Sequence, residues 1–529
     1  MSSGEIDRRT VVRTGLGGAA LAAVTTGGVL LGSSAPASAR GVPALVRRGR
    51  PELTHGVQAG DVHAGQATLW GRADRPARLV AEVSRDPSFR RAVTVPGPRV
   101  TPDTDLTGQW AVRGLPPGRD VHYRLRAVDL DDPRRSGRPV EGRLRTLGGS
   151  RRDVRFLWSG DIAGQGWGVN PAFGGFRIAD AMARRDADFF LCSGDTVYAD
   201  GPVQASVALP DGGTWTNLVT PEKEKVAETL AEFRGQYRYN LEAENWRAFL
   251  ASTPQVTQWD DHEVTNNWYP GEVLEDARYT ERRVDVLAAR ARRAFHDYVP
   301  VAEISPDPVG RVYRVLHLGP LLDLFVLDMR TRKDPNTAND ETRPDGGVLG
   351  EEQTRWLVRE LRASRATWKV IAADLPIGLV VPDGASAQEG IAQGDAGAPR
   401  GREQDLARVL TALQDAGIRN HVWLTADVHY TAAHHYSPDR AAYQRFDPFW
   451  EFVSGPLNAG AFGPNALDGT FGPRAEFVSA PPVAGTGPAG GYQFFGEVEI
   501  DARTRALTVT LRDVDGRGVY TRTLEAQRR

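Results

Sequence analysis

From Val154 onward the chain alternates short apolar runs with longer helical patterns, and acidic residues gather where the apolar runs stop. No other feature constrains the fold as strongly. The runs Val154–Ser159, Asp188–Cys192, Leu321–Leu327, Trp368–Ala373 and His421–Thr425 are too short and too continuously apolar for surface helices, and they read as buried strands. Helical spacing falls at Phe176–Arg185, Glu222–Tyr239, Arg282–Val299, Glu351–Ala363 and Glu403–Ala416. Buried strands in alternation with amphipathic helices predict an α/β layered domain. The tail from Gln493 to Leu524 returns to period-two alternation and is expected to complete a sheet of that domain.

The stretch from about Pro51 to Thr146 reads differently. Short alternating runs such as Ala67–Trp70, Arg78–Val83 and Val121–Val128 are separated by Asp86-Pro87, Pro96-Gly97-Pro98 and Pro116-Pro117-Gly118. Strands at that spacing predict a small all-β sandwich. Leu147–Arg152 reads as a linker, which places an N-terminal domain at 40–148 and the larger domain at 153–525. Lys and Arg number 65 against 67 Asp and Glu, a formal charge of −2, so no overall basic excess points to nucleic acid or an anionic membrane. The single cysteine, Cys192, rules out an intramolecular disulfide and any zinc cage of thiolates. It lies within a predicted strand and is expected to be a buried core residue.

The first residues read as an address. Arg8-Arg9 precede a run from Thr14 to Ala39 that has no charged residue and ends Ala37-Ser38-Ala39. A basic start, a weakly apolar middle and an A-x-A end make a removable leader over 1–39. Its paired arginines resemble a twin-arginine (Tat) signal, which implies passage through the Tat export machinery to an extracytoplasmic location. A membrane anchor is disfavoured, because the run is rich in Gly, Ala and Thr and is broken by Pro36. No later segment is long and apolar enough to span a bilayer.

In open α/β sheets ligands collect beyond the carboxyl ends of strands. Just past the strand ends of this chain stand Gly160-Asp161, Gly194-Asp195-Thr196-Val197-Tyr198, Asp260-Asp261-His262-Glu263, Asp374, and Asp427-Val428-His429-Tyr430. Five strands thus aim carboxylates at one edge, two of them with a histidine. A single Gly-Asp after a strand is as readily a turn or a helix cap. Five together would repel one another unless a cation neutralises them, and Asp, His and Tyr are groups that hard and borderline metals bind.

The motifs Gly194-Asp195-x-x-Tyr198, Trp259-Asp260-Asp261-His262-Glu263-Val264-x-Asn266-Asn267 and Asp427-Val428-His429-Tyr430 resemble those of the PhoD-like alkaline phosphatases. That family belongs to the calcineurin-like metallophosphoesterases, which include the purple acid phosphatases. The resemblance covers most of 154–460. It implies a metallophosphoesterase β-sandwich flanked by helices, behind a β-rich N-terminal domain. It further implies that Asp161, Asp195, Tyr198 and His429 hold a first metal, a set suited to ferric iron. Asp195 would bridge to a second ion held by Asp261, Asp427 and Asp374, an all-oxygen site suited to Ca²⁺, or to Mn²⁺ or Mg²⁺. Many superfamily members place His and Asn at those second positions. Well-known family members also carry a cysteine ligand after the first strand, where this chain has Asp161.

Two such cations would clamp phosphoryl oxygens and activate water for in-line attack on phosphorus. The resemblance gives His262, beside Asp261, the catalytic role of protonating the leaving oxygen or stabilising phosphoryl charge. Glu263 is expected to orient His262. The implied substrates are phosphate monoesters, diesters, or phospholipid head groups in a phospholipase-D-like reaction. A binding module that kept the scaffold but lost the chemistry is the alternative of another class; a serine hydrolase lacks a Gly-x-Ser-x-Gly elbow. His434 and His435 read either as pocket-lining or as a surface pair. Arg330, Arg332 and Lys333 read as phosphate-steering charges or a solvated loop, and the loops 203–221, 382–401 and 459–491 as covers for the site. Mass spectrometry of the exported protein should find its N-terminus at Arg40, and replacing Arg8 and Arg9 by lysine should leave the chain in the cytoplasm.

Overall fold

Val154–Ser159 lies at the centre of the architecture. In the computed structural model, which describes residues 49–63, 65–148, 152–302, 311–342 and 347–527, it pairs in parallel with Phe189–Ser193, which pairs in parallel with Gln255–Gln258. On its other side the C-terminal tail adds Phe494–Ile500, Leu507–Asp513 and Gly518–Leu524 as an antiparallel meander. The period-two tail therefore completes this sheet, as expected. The leader read at 1–39 lies outside the described residues. From Arg50 on, the chain forms one compact unit.

The second large sheet has seven strands, with Leu322–Val326, Trp368–Ala372, His421–Thr425 and Phe449–Val453 parallel at its centre. The two sheets stack face to face. Phe156, Trp158, Leu191 and Val256 of the first interdigitate with Leu324, Val326, Val370 and Leu424 of the second. Each large apolar side chain buried there contributes roughly 1.5–3 kcal/mol relative to exposure. Helices Arg177–Ala183, Leu230–Asn240, Glu244–Ser252 and Val284–Tyr298 cover the outer face of the first sheet, where Leu157, Phe190 and the free Cys192 are buried. Helices Gly350–Ala363 and Glu403–Asp415 cover the second sheet over Phe325, Ile371 and Trp423. The result is a β-sandwich between helical layers.

The all-β part is also a sandwich. Ala77–Ser84, Val93–Val100, Asp120–Val128 and Val140–Arg145 form a four-stranded sheet. It packs Ala81, Tyr123 and Leu125 against Val57, Leu69 and Val112. Its other half is Leu53–His63, Gln66–Ala73 and Thr107–Arg113, which continue the first large sheet through the parallel bridge Gly60↔Gln255. A buried ion pair, Arg314 to Asp61 at 2.7 Å, ties this half to the body.

Helix expectations held within a few residues except at Glu222, where the structure has a 3-10 turn, Pro221–Lys223, and the helix starts at Leu230. Thr229 and Glu232 form a reciprocal capping box there, satisfying backbone donors that would otherwise be orphaned. Lys223 turns inward instead and donates to the Tyr198 carbonyl at 2.9 Å. The helix Glu244–Ser252 had no expectation, because nine residues carry too little periodicity to stand out. Among the described residues no helix is long and apolar enough to cross a membrane.

Trp158 fastens the sandwich. Its ring lies between the sheets, and its Nε1 donates to the Thr425 carbonyl of the opposite sheet at 3.3 Å. The ring has room because its strand partner is Gly496, where a Cβ would stand 2.0 Å from ring carbons. Gly496→Ala should therefore overpack the core and destabilise the fold by about 1–3 kcal/mol or more, read as a lower denaturant midpoint.

Candidate metal centre

The stacked sheets bring their parallel strands to the same edge. From the first sheet come Asp161, Asp195 and the run Asp260–Glu263; from the second come Arg330, Asp374, Asp427 and His429. The chain must turn sharply at these points. Asp161, Asp195, Asp427 and His429 all adopt left-handed backbone, with φ of 65°, 47°, 66° and 59°. Asp and His tolerate that region better than most residues, and such strained positions cluster at functional sites. Gly194 precedes Asp195 for two reasons: its φ is 90°, and a Cβ there would lie 2.4 Å from the Asp260 Cβ.

One group of atoms joins Asp161, Asp195 and His429, with Tyr198 beside them. His429 Nε2 is 3.8 Å from Asp161 Oδ1 and 2.8 Å from the Tyr198 hydroxyl. His429 Nδ1 faces the Gly460 carbonyl at 2.5 Å. A carbonyl only accepts, so Nδ1 carries the proton and Nε2 presents a lone pair to the site. Burial pushes the imidazole down to about 4, which keeps it in its neutral, ligating form.

A second group joins Asp260, Asp261 and Asp427, and a third links Asp195, Asp261 and His262, so Asp195 and Asp261 lie between the two sets. Asp374 stands apart. It accepts from Gln258 at 3.1 Å and lies 3.6 Å from the Arg330 guanidinium.

The electrostatics call for cations. Burial, and then the neighbouring carboxylates, push Asp161 and Asp195 well above the usual range. Burial and Asp260 do the same to Asp374, and burial and Glu389 to Asp427. Asp260 is raised to about 6, chiefly by burial. Burial also opposes charge on Asp261, but His262 and Arg330 outweigh it and hold that carboxyl down to about 2. Both carboxylate oxygens of Asp161, and one each of Asp260, Asp261 and Asp374, are buried without a hydrogen-bond partner. Orphaned carboxylate oxygens at this density fit a bound cation better than any protein donor set.

His262 is oriented by Asp200, whose Oδ1 lies 2.8 Å from Nδ1. Burial works against its charge, yet Asp200 and then Asp261 lift it to about 9. The imidazole packs on the Tyr198 ring at 4.2 Å between centroids. Glu263 does not orient His262. It accepts from the Thr196 backbone N–H at 2.7 Å and hydroxyl at 2.5 Å, and from the Asp260 N–H at 2.8 Å, so it staples the two strand-end loops together. Asn267 donates its backbone N–H to Asp261 at 2.5 Å and its side chain to Asp383 at 3.0 Å, which joins the 382–401 loop to the motif. His434 is buried against Glu451 at 3.2 Å and does not reach the site, while half-buried His435 packs on Trp450.

Arg330 is the cation that the loop reading undervalued. It is fully buried, bonds Asp260 through Nε at 2.5 Å, pairs with Glu389, and lies 3.5–3.7 Å from Asp427, Asp374 and Asp261. Lys333 is buried beside it, whereas Arg332 is exposed. Arg330 sits two residues past Asp328, just beyond the strand Leu322–Val326, and serves neither as an exposed phosphate-steering charge nor as part of a solvated loop. Asp200 and Glu389 left no sequence signal, since each lies in a loop whose course only the fold sets.

The residues 156–511 match the PhoD-like phosphatase family, and 37–148 match the PhoD-like phosphatase N-terminal domain. The match covers most of the chain, and the protein belongs to the PhoD-like phosphatase family. Alkaline phosphatase D of Bacillus subtilis (strain 168) is 26% identical over 400 residues, which are 71% of this chain and 64% of that protein, so the match spans under two thirds of the relative. The solved structure of PhoD superposes with a TM-score of 0.67 at 20% identity, covering 91% of this chain and 93% of that one. A purple acid phosphatase from yellow lupin (Lupinus luteus) seeds shares the fold at a TM-score of 0.54 and 13% identity, over 90% of this chain and 74% of that one.

Removing the guanidinium while leaving its acids buried should be severe. Arg330→Met should destabilise the fold by about 3–5 kcal/mol, and millimolar Ca²⁺ should restore part of the loss in thermal melts.

Proposed function

We propose that this chain is an exported, metal-dependent phosphatase that hydrolyses phosphate monoesters, diesters or both. The observation that carries the reading is the set of buried carboxylates with unpartnered oxygens, grouped around Asp195 beside a histidine that another carboxylate holds. A binding module has no need for that histidine or its orientation.

Asp161, Asp195, Tyr198 and His429 would hold the first cation. The neutral His429 and the phenol beside it suit ferric iron. Asp195 and Asp261 lie where both groups of acids meet and would be shared or adjacent to a second ion, with Asp427. Oxygen donors alone favour Ca²⁺, Mn²⁺ or Mg²⁺ there. Asp374, expected as a further ligand, is better placed to neutralise Arg330. When bound, paired cations supply Lewis acidity that polarises the phosphoryl group and makes water a stronger nucleophile.

The protein's own residues do the rest. Asp200 fixes the His262 ring through Nδ1 and keeps the imidazole protonated. A charged imidazole has a second N–H at Nε2, which is available to the leaving oxygen. Glu263 locks the loops of Asp195 and Asp260 to each other, so the acids do not relax apart when charge changes. Arg330 holds Asp260, Glu389 and Asp374 in place. The twin-arginine leader supports export through the Tat machinery.

Metal analysis and an absorption spectrum of the purified protein, with assays on aryl phosphate monoesters, aryl diesters and phospholipids, test the reading. Iron plus a divalent metal and a visible phenolate-to-iron band are expected. Tyr198→Phe should bleach the band, and Asp195→Ala should empty both sites and abolish hydrolysis. A colourless, fully loaded and active enzyme would overturn iron at the first site. A metal-free protein inactive on all three substrate classes would overturn the phosphatase reading.

A further inference from the structure

The strands that deliver Asp374 and Asp427 have other ends, and these open onto a basic cleft. It measures about 1130 Å³ and is lined by Arg362, Arg365, Lys369, Arg419, Arg503 and Arg505 together with neutral residues, with no carboxylate among the described residues that line it. Lys369 opens the strand Trp368–Ala372, and Asn420, also in the lining, directly precedes His421–Thr425. A five-residue strand spans about 17 Å, so the cleft lies a sheet's depth from the metal centre.

Most surface arginines near it are paired: Arg408 with Glu351 and Asp405, Arg445 with Asp415, Arg359 with Glu360. Those in the cleft are not. Arg362, Arg365, Arg503 and Arg505 are exposed and make no side-chain hydrogen bond or ion pair among the described residues, and Arg419 reaches only the Gln527 side chain. Helix-dipole compensation accounts for Arg362 alone, which lies in the last turn of Gly350–Ala363. Arg365 and Arg419 lie past helix ends, and Arg503 and Arg505 stand on the turn between two strands. The nearby Asp501 is already engaged by the N–H groups of Arg503 and Thr504 and by the Thr504 hydroxyl. Asp501 offsets part of the charge of Arg503, but gathering the remaining like charges costs free energy in the free protein, which a multivalent anion would recover.

We propose that this cleft binds a linear polyanion through its phosphoryl groups, with Arg365, Arg419, Arg503 and Arg505 as contacts. The guanidinium fork matches phosphate oxygens in pairs. Arginines from a helix end, a pre-strand loop and a hairpin turn surround a cleft too wide for one phosphate to satisfy. Several weak contacts on one chain add through effective concentration. The site lies apart from the metal centre, and it stands whether or not the phosphatase reading does.

The test uses the full-length mature protein with inorganic polyphosphate, orthophosphate and anionic phospholipid vesicles as probes. The variants are Arg365→Glu/Arg503→Glu/Arg505→Glu and, separately, Asp195→Ala. Polyphosphate should bind far more tightly than orthophosphate, and the binding should collapse as salt shortens the screening length. The triple variant should weaken it by at least about tenfold, with its thermal midpoint, metal content and aryl phosphate hydrolysis unchanged, while Asp195→Ala binds as the wild type. The matching triple Arg→Lys variant, which keeps the charge but loses the paired hydrogen bonds, should bind with an affinity between those of the wild type and the triple Glu variant. Equal binding by the triple Glu variant, loss of binding in Asp195→Ala, or binding to vesicles but not to polyphosphate would each overturn the proposal.

Discussion

The structure is organised around carboxylates that repel one another and are denied water. Asp161, Asp195, Asp260, Asp261 and Asp374 are each almost fully buried, and Asp427 is only slightly exposed. Charges so placed persist only where counter-charge is supplied. The fold supplies some of it: Arg330 stands among five acids, and Asp200 favours the charged form of His262 beside Asp261. The oxygens that remain without partners mark where protein donors stop and cations are wanted. Trp158 and the inter-sheet core carry the mechanical consequence, because two sheets must be held in fixed register for acids from both to meet at one edge.

The two halves of the centre come from different sheets. The first sheet contributes the Asp161, Asp195 and Asp260–Glu263 loops, and the second brings Asp374, Asp427, His429 and the guanidinium. Small relative displacement of the sheets would change the distances between acids that any bound cation would have to bridge. Glu263 counters this on one side by tying two loops, and Arg330 counters it across the sheets. The proposed first site has a carboxylate, Asp161, and no thiolate, so its donor set is hard. The same parallel strands have a second end, and there the chain concentrates unpaired arginines, leaving acid and base at opposite ends of one layer.

Much of this was legible in sequence. Buried strands show as continuous apolar runs, and acids two or three residues past them obey the rule that parallel strands present ligands at their carboxyl ends. The period-two tail was legible because half-buried antiparallel strands alternate. Short elements such as Glu244–Ser252 carry too few turns to register. Glu222–Thr229 looked helical but serves the site, since the Lys223 ammonium is drawn to the Tyr198 carbonyl. Asp200, Glu389 and the buried course of Arg330 have no local signature. Arg330 read as a phosphate-steering charge or part of a solvated loop, both exposed roles, because long basic side chains are usually exposed.

The sequence by itself determined the layered class, the strand-end acids, Tyr198 and His429 as members of one constellation, and the absence of a thiolate among them. Local pattern is enough for those, because strand burial and turn chemistry act over a few residues. Tertiary structure decided which acids share a cation's space and which serve a guanidinium. It turned Glu263 towards the backbone and Asp200 towards His262, and it extended the first large sheet into the N-terminal strands through Gly60 and Gln255. Those outcomes depend on contacts between residues scores or hundreds of positions apart, and only the stacking of the sheets sets them.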